Sequence, residues 1–195
     1  MIITINGADG SGKSTILKSL AEITDGDFTH RHSRPGNVLP KHNTEKSNRY
    51  VACPDLLPKY KMHLQLVKIG LFIMEFQTFA LWHKILPRHK IAIFERSLVD
   101  LYVHPARYGL DTWVVERLRP LLVDWYADLN ICLIGDANMM AKRKQELVVA
   151  DIIHLNNRYQ AALEPTAKKR MVIDTTCETV SQSRDKIIAH LKNIL

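Results

Sequence analysis

One short segment narrows the fold of this chain more than all the rest. Residues Met1 to Asn6 (MIITIN) form an apolar run ending at a glycine, and Gly7-Ala-Asp-Gly-Ser-Gly-Lys-Ser14 follows with the spacing G-x-x-x-x-G-K-[ST]. From Lys13 onward Ile16, Leu17, Leu20 and Ile23 recur at helical intervals. The segment therefore reads as buried strand, glycine-rich turn and helix. Each residue type serves a purpose there. Glycines take positive φ and let main-chain N–H groups approach an anion with no Cβ in the way. Those N–H groups and the positive end of the helix form a cradle for phosphate. Lys13 can reach the β- and γ-phosphates of a triphosphate, and the Ser14 hydroxyl can ligate Mg²⁺. Gly7, Asp9, Gly10, Ser11, Gly12, Lys13, Ser14 and Thr15 are thus the expected nucleotide-binding residues, with ATP and Mg²⁺ as the expected ligands.

The rest of the chain continues the alternation. Further strands are expected at Phe28–His32, Lys90–Phe94, Leu129–Ile134 and Arg170–Asp174. Helices are expected at about 59–86, at 98–126 as one or two pieces, at 138–146 and at 148–163. A final helix carries Val180, Ile187, Ile188, Leu191 and Leu195 on one face. Strands alternating with helices imply an α/β fold of three layers: a five-stranded, mostly parallel sheet with helices on both faces, in a single domain over 1–195. Residues 33–58 carry scattered prolines and no period, and read as a long mobile loop. The apolar stretch Leu64–Leu86 is interrupted by Lys68, Glu75, Gln77 and His83. It reads as a buried core helix and not as a membrane span. Trp82, Trp113 and Trp125 are expected in the core.

Composition enters as a bound. A formal net charge of +7 over 195 residues favours anionic partners, which includes nucleotides and nucleic acid alike. No basic recognition motif favours the latter, so a small soluble phosphate acceptor is expected, with no nucleic acid and no membrane. Cys53, Cys132 and Cys177 stand apart with no C-x-x-C pair, as reduced thiols of a cytoplasmic protein do. The opening residues are too short for a leader h-region. His30 and His32 alternate along a strand without metal-ligand spacing, so no zinc site is expected.

Ligands of open parallel sheets bind beyond the carboxyl ends of the strands. Three segments fall there: Gly7–Thr15, Arg34-Pro35-Gly36 and Glu95-Arg96-Ser97. Beyond the glycine loop itself, neither switch segment of a GTPase, DxxG or NKxD, is visible. Glu95 after Ile91–Phe94 could end the strand of an ATPase, and spacing alone leaves that open. The adjacent Arg96 favours a kinase, since a cation there can hold an anionic acceptor or the transferring group.

At these residues the chain resembles a known family. Gly7–Thr15 looks like the GxDGxGKST loop of thymidylate kinases, and Glu95-Arg96-Ser97 is similar to their DR[YF] segment and to the ERS triplet of deoxyribonucleoside kinases. Leu98–Tyr108 and Ala141–Glu146 look like segments of thymidylate-kinase-like proteins of bacterial polysaccharide gene clusters. The resemblance implies an ATP-dependent kinase acting on a nucleoside monophosphate such as dTMP. Asp9 would reach toward a sugar hydroxyl of the acceptor. Glu95 would hold Mg²⁺ through water or act as a base. Arg96 would bind the acceptor's anionic group, and Arg143, flanked by Lys142 and Lys144, would close a lid (about 138–150) over the transferring phosphoryl. Lys13, Glu95, Arg96 and Arg143 are the catalytic candidates, and Asp9, Arg34, Arg96 and Arg107 the acceptor-side ones. Asp100 and Arg107 read equally well as a structural ion pair. A homodimer through the helix at 59–86 is also implied. The family has an acid before the proline after its second strand, whereas this chain has Ser33-Arg34-Pro35. That cation suits an anionic acceptor and keeps a phosphorylated sugar open as an alternative, as does a nucleotide-binding module without activity.

Overall fold

Residues 1–23, 28–32, 59–85, 91–123, 127–145, 147–164 and 170–192 are described by a computed structural model. In chain order they form β1 (Ile2–Asn6), α1 (Lys13–Ile23), β2 (Phe28–His32), α2 (Met62–Ile85), β3 (Ile91–Glu95) and α3 (Leu98–Val103). A 3-10 turn (Pro105–Tyr108) leads to α4 (Thr112–Arg117), α5 (Arg119–Leu122), β4 (Leu129–Ile134), α6 (Ala137–Arg143), α7 (Val149–Leu163), β5 (Arg170–Asp174) and α8 (Val180–Lys192). The strands make one sheet in the order β2-β3-β1-β4-β5. Every adjacent pair is parallel. This is the expected sheet, in a three-layer P-loop arrangement.

Period-two alternation sends neighbouring residues of each strand into different layers. Ile2, Ala92 and Phe94 pack with Ile69, Phe72, Phe76 and Ala80 of α2 and with α3. Ile3, Ile5, Ile91 and Ile93 face Ile16, Leu17 and Leu20 of α1 and Ile187 and Leu191 of α8. Because both faces are covered, β1 is buried at every position. That explains its unbroken apolar reading. A third cluster joins Ala8 of the loop and Val99 of α3 to Met140 of α6 and to Leu155 and Tyr159 of α7.

Two expectations need correction. The helix at 62–85 is not a buried core helix: it buries Gln65, Lys68, Ile69, Phe72, Phe76 and Ala80, while Leu66, Val67, Met74, Leu81, Trp82 and Ile85 are exposed. By length and composition alone α2 could cross a membrane. Its buried stripe, including Phe76 stacked 4.4 Å from Phe94, is engaged with this protein's own sheet. Trp82 and Trp113 lie on the surface and not in the core. Apolar composition is higher on α2 than one buried stripe needs, and such a helix cannot be told from a fully buried one by pattern. The loop expected at 33–58, with Arg34 and Cys53, and Trp125 lie outside the described residues.

A polar line runs through the sheet beneath the site. The Thr4 hydroxyl donates to the Asn130 side chain, the Asn6 amide donates to Thr4 Oγ1 at 3.0 Å, and the Ser97 hydroxyl donates to Asn6 Oδ1 at 2.8 Å. Ser97 also caps α3, accepting from Val99 N–H. Buried polar groups so connected tie β1, β4 and the start of α3 into one unit.

Candidate active site

Parallel pairing sets Ile5 of β1 beside Glu95 of β3, so the segments following the two strands emerge together at the carboxyl edge of the sheet. After β1 the loop turns through Gly7, Gly10 and Gly12, at φ of 152°, 85° and 84°. Two of these glycines have no substitute. A Cβ on Gly7 would meet the Leu133 carbonyl oxygen at 2.5 Å, and one on Gly10 would meet that of Met140 at 2.7 Å. Thr15 and Ile16 donate to the Gly12 carbonyl. Helix geometry leaves the first N–H groups of α1 without intrahelical acceptors. They are the N–H groups that the sequence reading expects to receive an anion.

Lys13 is buried and folded back over the loop, donating to the carbonyls of Gly7 and Ala8 at 2.8 Å each. Burial, with the nearby Arg96 charge, pulls its pKa down to about 8 against the opposing pull of Asp9, Asp100 and Glu95. Ser14 and Thr15 are exposed at the mouth. The Ser14 hydroxyl stands 3.4 Å from Glu95 Oε1. A hydroxyl and one buried carboxylate at that spacing fit Mg²⁺, a hard ion that keeps most of its coordination for water and phosphate oxygens. Among the described residues no group of three or more His, Cys, Asp or Glu side chains could hold a metal, so no all-protein cage is built.

Arg96 follows β3 with φ of 65°, the sole non-glycine at positive φ among the described residues. That strained turn aims its guanidinium under the loop. Its Nη2 donates to Asp9 Oδ1 at 2.6 Å, and its Nη1 lies 3.3 Å from Asp100 Oδ2. Arg107, from the 3-10 turn, donates to the other Asp9 oxygen at 2.9 Å. Lys144, just past α6, stands 3.8 Å from Asp9 Oδ1. Burial would raise the Asp9 pKa, but Arg96, Arg107, Lys13 and Lys144 together hold it well below the usual carboxylate range. The same ion pairs hold the Arg96 charge firmly, against its own burial.

This geometry alters two roles implied by the resemblance. Asp9 does not present free oxygens, since both are taken by guanidinium groups. Arg143 is engaged by Thr175: its Nη2 donates to the Thr175 carbonyl at 2.8 Å and its Nη1 to the Thr175 hydroxyl at 3.3 Å. Thr175, after β5, lies 4.0 Å from where a Gly12 Cβ would be. The cation that approaches Asp9 from the end of α6 is Lys144. Sequence reading weighed Lys144 only as a neighbour of Arg143, because helical spacing cannot tell which of two adjacent residues turns inward once the helix ends between them. Tyr159 was missed altogether. Its hydroxyl donates to Asp100 at 2.6 Å across 59 residues of sequence, and no local signal announces such a contact.

Comparisons with solved structures place this fold among known ones. The chain is similar to a thymidylate kinase from Candida albicans (TM-score 0.65, 15% identity, covering 98% of this chain and 91% of that one). It is also similar to a deoxyadenosine kinase from M. mycoides solved with bound dATP (0.61, 15%, 98% and 99%). A thymidylate kinase from Ehrlichia chaffeensis gives 0.57 at 20% identity, covering 98% of both chains. The fold is that of the thymidylate and deoxynucleoside kinases. No family model matches the sequence, and no curated protein is significantly similar to it. The kinase fold is therefore carried by three-dimensional arrangement with little sequence identity, as expected where burial pattern and loop geometry constrain the chain more than residue identity does.

Proposed function

We propose that this protein is a cytoplasmic ATP-dependent kinase that transfers the γ-phosphoryl group to a nucleoside monophosphate, with dTMP the first candidate acceptor. The observation that carries the reading is the convergence of Arg96, Arg107 and Lys144 on Asp9 beside the phosphate cradle. Three cations around one carboxylate leave an excess of positive charge, which suits a phosphate on the acceptor.

The carboxylates of the site support the same choice. A hydroxyl acceptor benefits from a base to take its proton. Asp9 is held far too acidic for that. Asp100 is buried against Arg96 and Tyr159, and Glu95 sits at the Mg²⁺ side with Ser14. An ionised phosphate oxygen needs no base. In the transfer the bond from the γ-phosphorus to the bridging oxygen of ADP breaks, and a bond from the acceptor phosphate oxygen forms. The main-chain N–H groups of Gly10 to Ser14 would bind the donor phosphates. Lys13 would leave the Gly7 and Ala8 carbonyls for the β- and γ-phosphates. Arg96 and Arg107 would hold the acceptor phosphate in line, and Lys144 would neutralise charge on the transferring group. Ser14 and Glu95 would hold Mg²⁺, which supplies further charge neutralisation when bound. Arg143, fixed to Thr175, would shape the donor side.

A coupled ADP-release assay across nucleoside monophosphates, nucleosides, sugars and sugar phosphates tests this. Turnover with a monophosphate is expected. Turnover confined to neutral hydroxyl acceptors would overturn the acceptor assignment, and no turnover together with no Mg·ATP binding would overturn the kinase reading. The exposed apolar residues of α2 also support a homodimer through that helix. Sedimentation is expected to show a dimer that Trp82→Glu dissociates.

A further inference from the structure

Arg96 is the acceptor-side residue in this reading, yet its guanidinium lies between two carboxylates, Asp9 in the loop and Asp100 on α3. Something must fix how it divides itself between them. Asp100 is almost wholly buried, at 2% exposure. A carboxylate so placed must have every lone pair engaged or incur a large desolvation cost. Oδ2 faces Arg96 Nη1 at 3.3 Å and the Tyr108 hydroxyl at 3.5 Å, both long contacts. Oδ1 takes the Tyr159 hydroxyl at 2.6 Å, by far the shortest of the set. Tyr159 is itself 3% exposed, on α7, the helix that follows the segment bearing Lys144.

We propose that Tyr159, acting through Asp100, is a positioning residue for acceptor binding. By satisfying Oδ1, its hydroxyl leaves Arg96 only a long contact with Asp100 and keeps the guanidinium committed to the loop side, where it meets Asp9 at 2.6 Å. Without that hydroxyl, the vacant Oδ1 draws Arg96 deeper onto Asp100 and away from the acceptor position. The chain Tyr159, Asp100, Arg96, Asp9 also runs from α7 to the loop, and Lys144 closes it from the lid side. The helix behind the lid and the acceptor arginine are thus set together. The inference rests on the kinase reading for its kinetic consequence but not for its structural one.

The test is Tyr159→Phe, which keeps the buried ring and removes only the donor. With dTMP as acceptor, KM for dTMP is expected to rise about ten-fold, the scale of one hydrogen bond to a charged group. KM for ATP should stay within about two-fold on the same scale. Asp100→Asn combined with Tyr159→Phe is expected to match Asp100→Asn alone, since both act through Arg96. Unchanged KM for dTMP in Tyr159→Phe, or additive effects in the double variant, would overturn the proposal, and a merely structural role would lower the melting temperature with both KM values intact. If the wild-type protein does not turn over dTMP, the acceptor assignment fails and the decision passes to NMR on the ligand-free protein. The Arg96 side-chain N–H resonance, assigned by its loss in Arg96→Lys, is then expected to move in Tyr159→Phe. A resonance that stays in place would refute the positioning role independently of any activity.

Discussion

Replacing Asp9 with asparagine separates what the carboxylate does for stability from what it does for binding. In the native protein each Asp9 oxygen takes a guanidinium, Arg96 at 2.6 Å and Arg107 at 2.9 Å. The Arg96 side chain is 14% exposed and that of Arg107 29%, so both pairs are largely shielded from solvent. Lys144, at 46%, is screened and contributes little. Asparagine keeps one acceptor for Arg96, which retains Asp100 as its counter-ion, and turns an N–H₂ toward Arg107, which is left without one. Breaking a buried pair from one side costs about 3–5 kcal/mol. The half-exposed surroundings of Arg107 place the expected loss near about 3 kcal/mol. For a domain of this size that lowers the melting temperature by about 6–12 °C. The same vacancy makes an anion site. Inorganic phosphate at ten times its Kd should return about 1.4 kcal/mol to the variant by mass action, and much less to the wild type, where Asp9 already occupies the cations. Differential scanning calorimetry with and without phosphate reads both effects. A variant that melts within about 1 °C of wild type, or two proteins that gain equally from phosphate, would refute the account of Asp9 as an internal anion for Arg96 and Arg107.

Lys13→Met and Arg96→Ala should both abolish transfer, but only the former should weaken Mg·ATP binding, by about 100-fold on the scale of a lost charged contact; calorimetric titration with Mg·ATP checks this. Gly10→Ala places a methyl 2.7 Å from the Met140 carbonyl at a φ of 85° and should cost at least ten-fold in Mg·ATP affinity through displacement of the loop or α6. Stability should depend on pH through Lys13 and Lys68, each lowered to about 8 chiefly by burial. Both titrate near ~10.4 when unfolded. Above pH 8 the unfolded chain therefore binds more protons than the native one, and stability rises with pH by up to about 1.4 kcal/mol per unit for each lysine. Cys132, pushed up to about 12 by burial, opposes one of them once unfolded thiols ionise near pH ~8.5. Urea titrations from pH 7.5 to 9 should show the rise, and Lys13→Met should lose about three-quarters of it, since Cys132 offsets most of what Lys68 still contributes.

The strand, glycine turn and helix of the candidate cradle were legible because their signal is local. Glycine spacing, the Lys13-Ser14 pair and an apolar run on either side are all contained in about twenty residues, and the structure places a strand and a helix there. Strands β2, β4 and β5 were likewise readable to the residue, since each is a short run bounded by breakers. The proposed acceptor side was only half legible. Arg96 announced itself by standing at a strand end, but that Asp9 would turn back onto it depends on the pairing of Ile5 with Glu95, a contact across the sheet. Arg143 and Lys144 could not be distinguished, because α6 ends at Arg143 and the chain leaves helical geometry at Lys144, with φ of −146°. Tyr159 lay beyond reach for a different reason: its importance is that of a single hydroxyl, on a helix whose apolar periodicity already accounts for the ring.

Contact between Gly10 and the last turn of α6 has a practical corollary. Where a hydrogen atom is all that separates the loop from the Met140 carbonyl, the loop cannot shift toward α6 at Gly10 while that helix stands still. Met139, one residue back and 46% exposed, is free to carry a dye at that moving end. On the proposed nucleotide site, a label there is expected to change its emission when Mg·ATP is added, so occupancy could be followed by light before the acceptor is known.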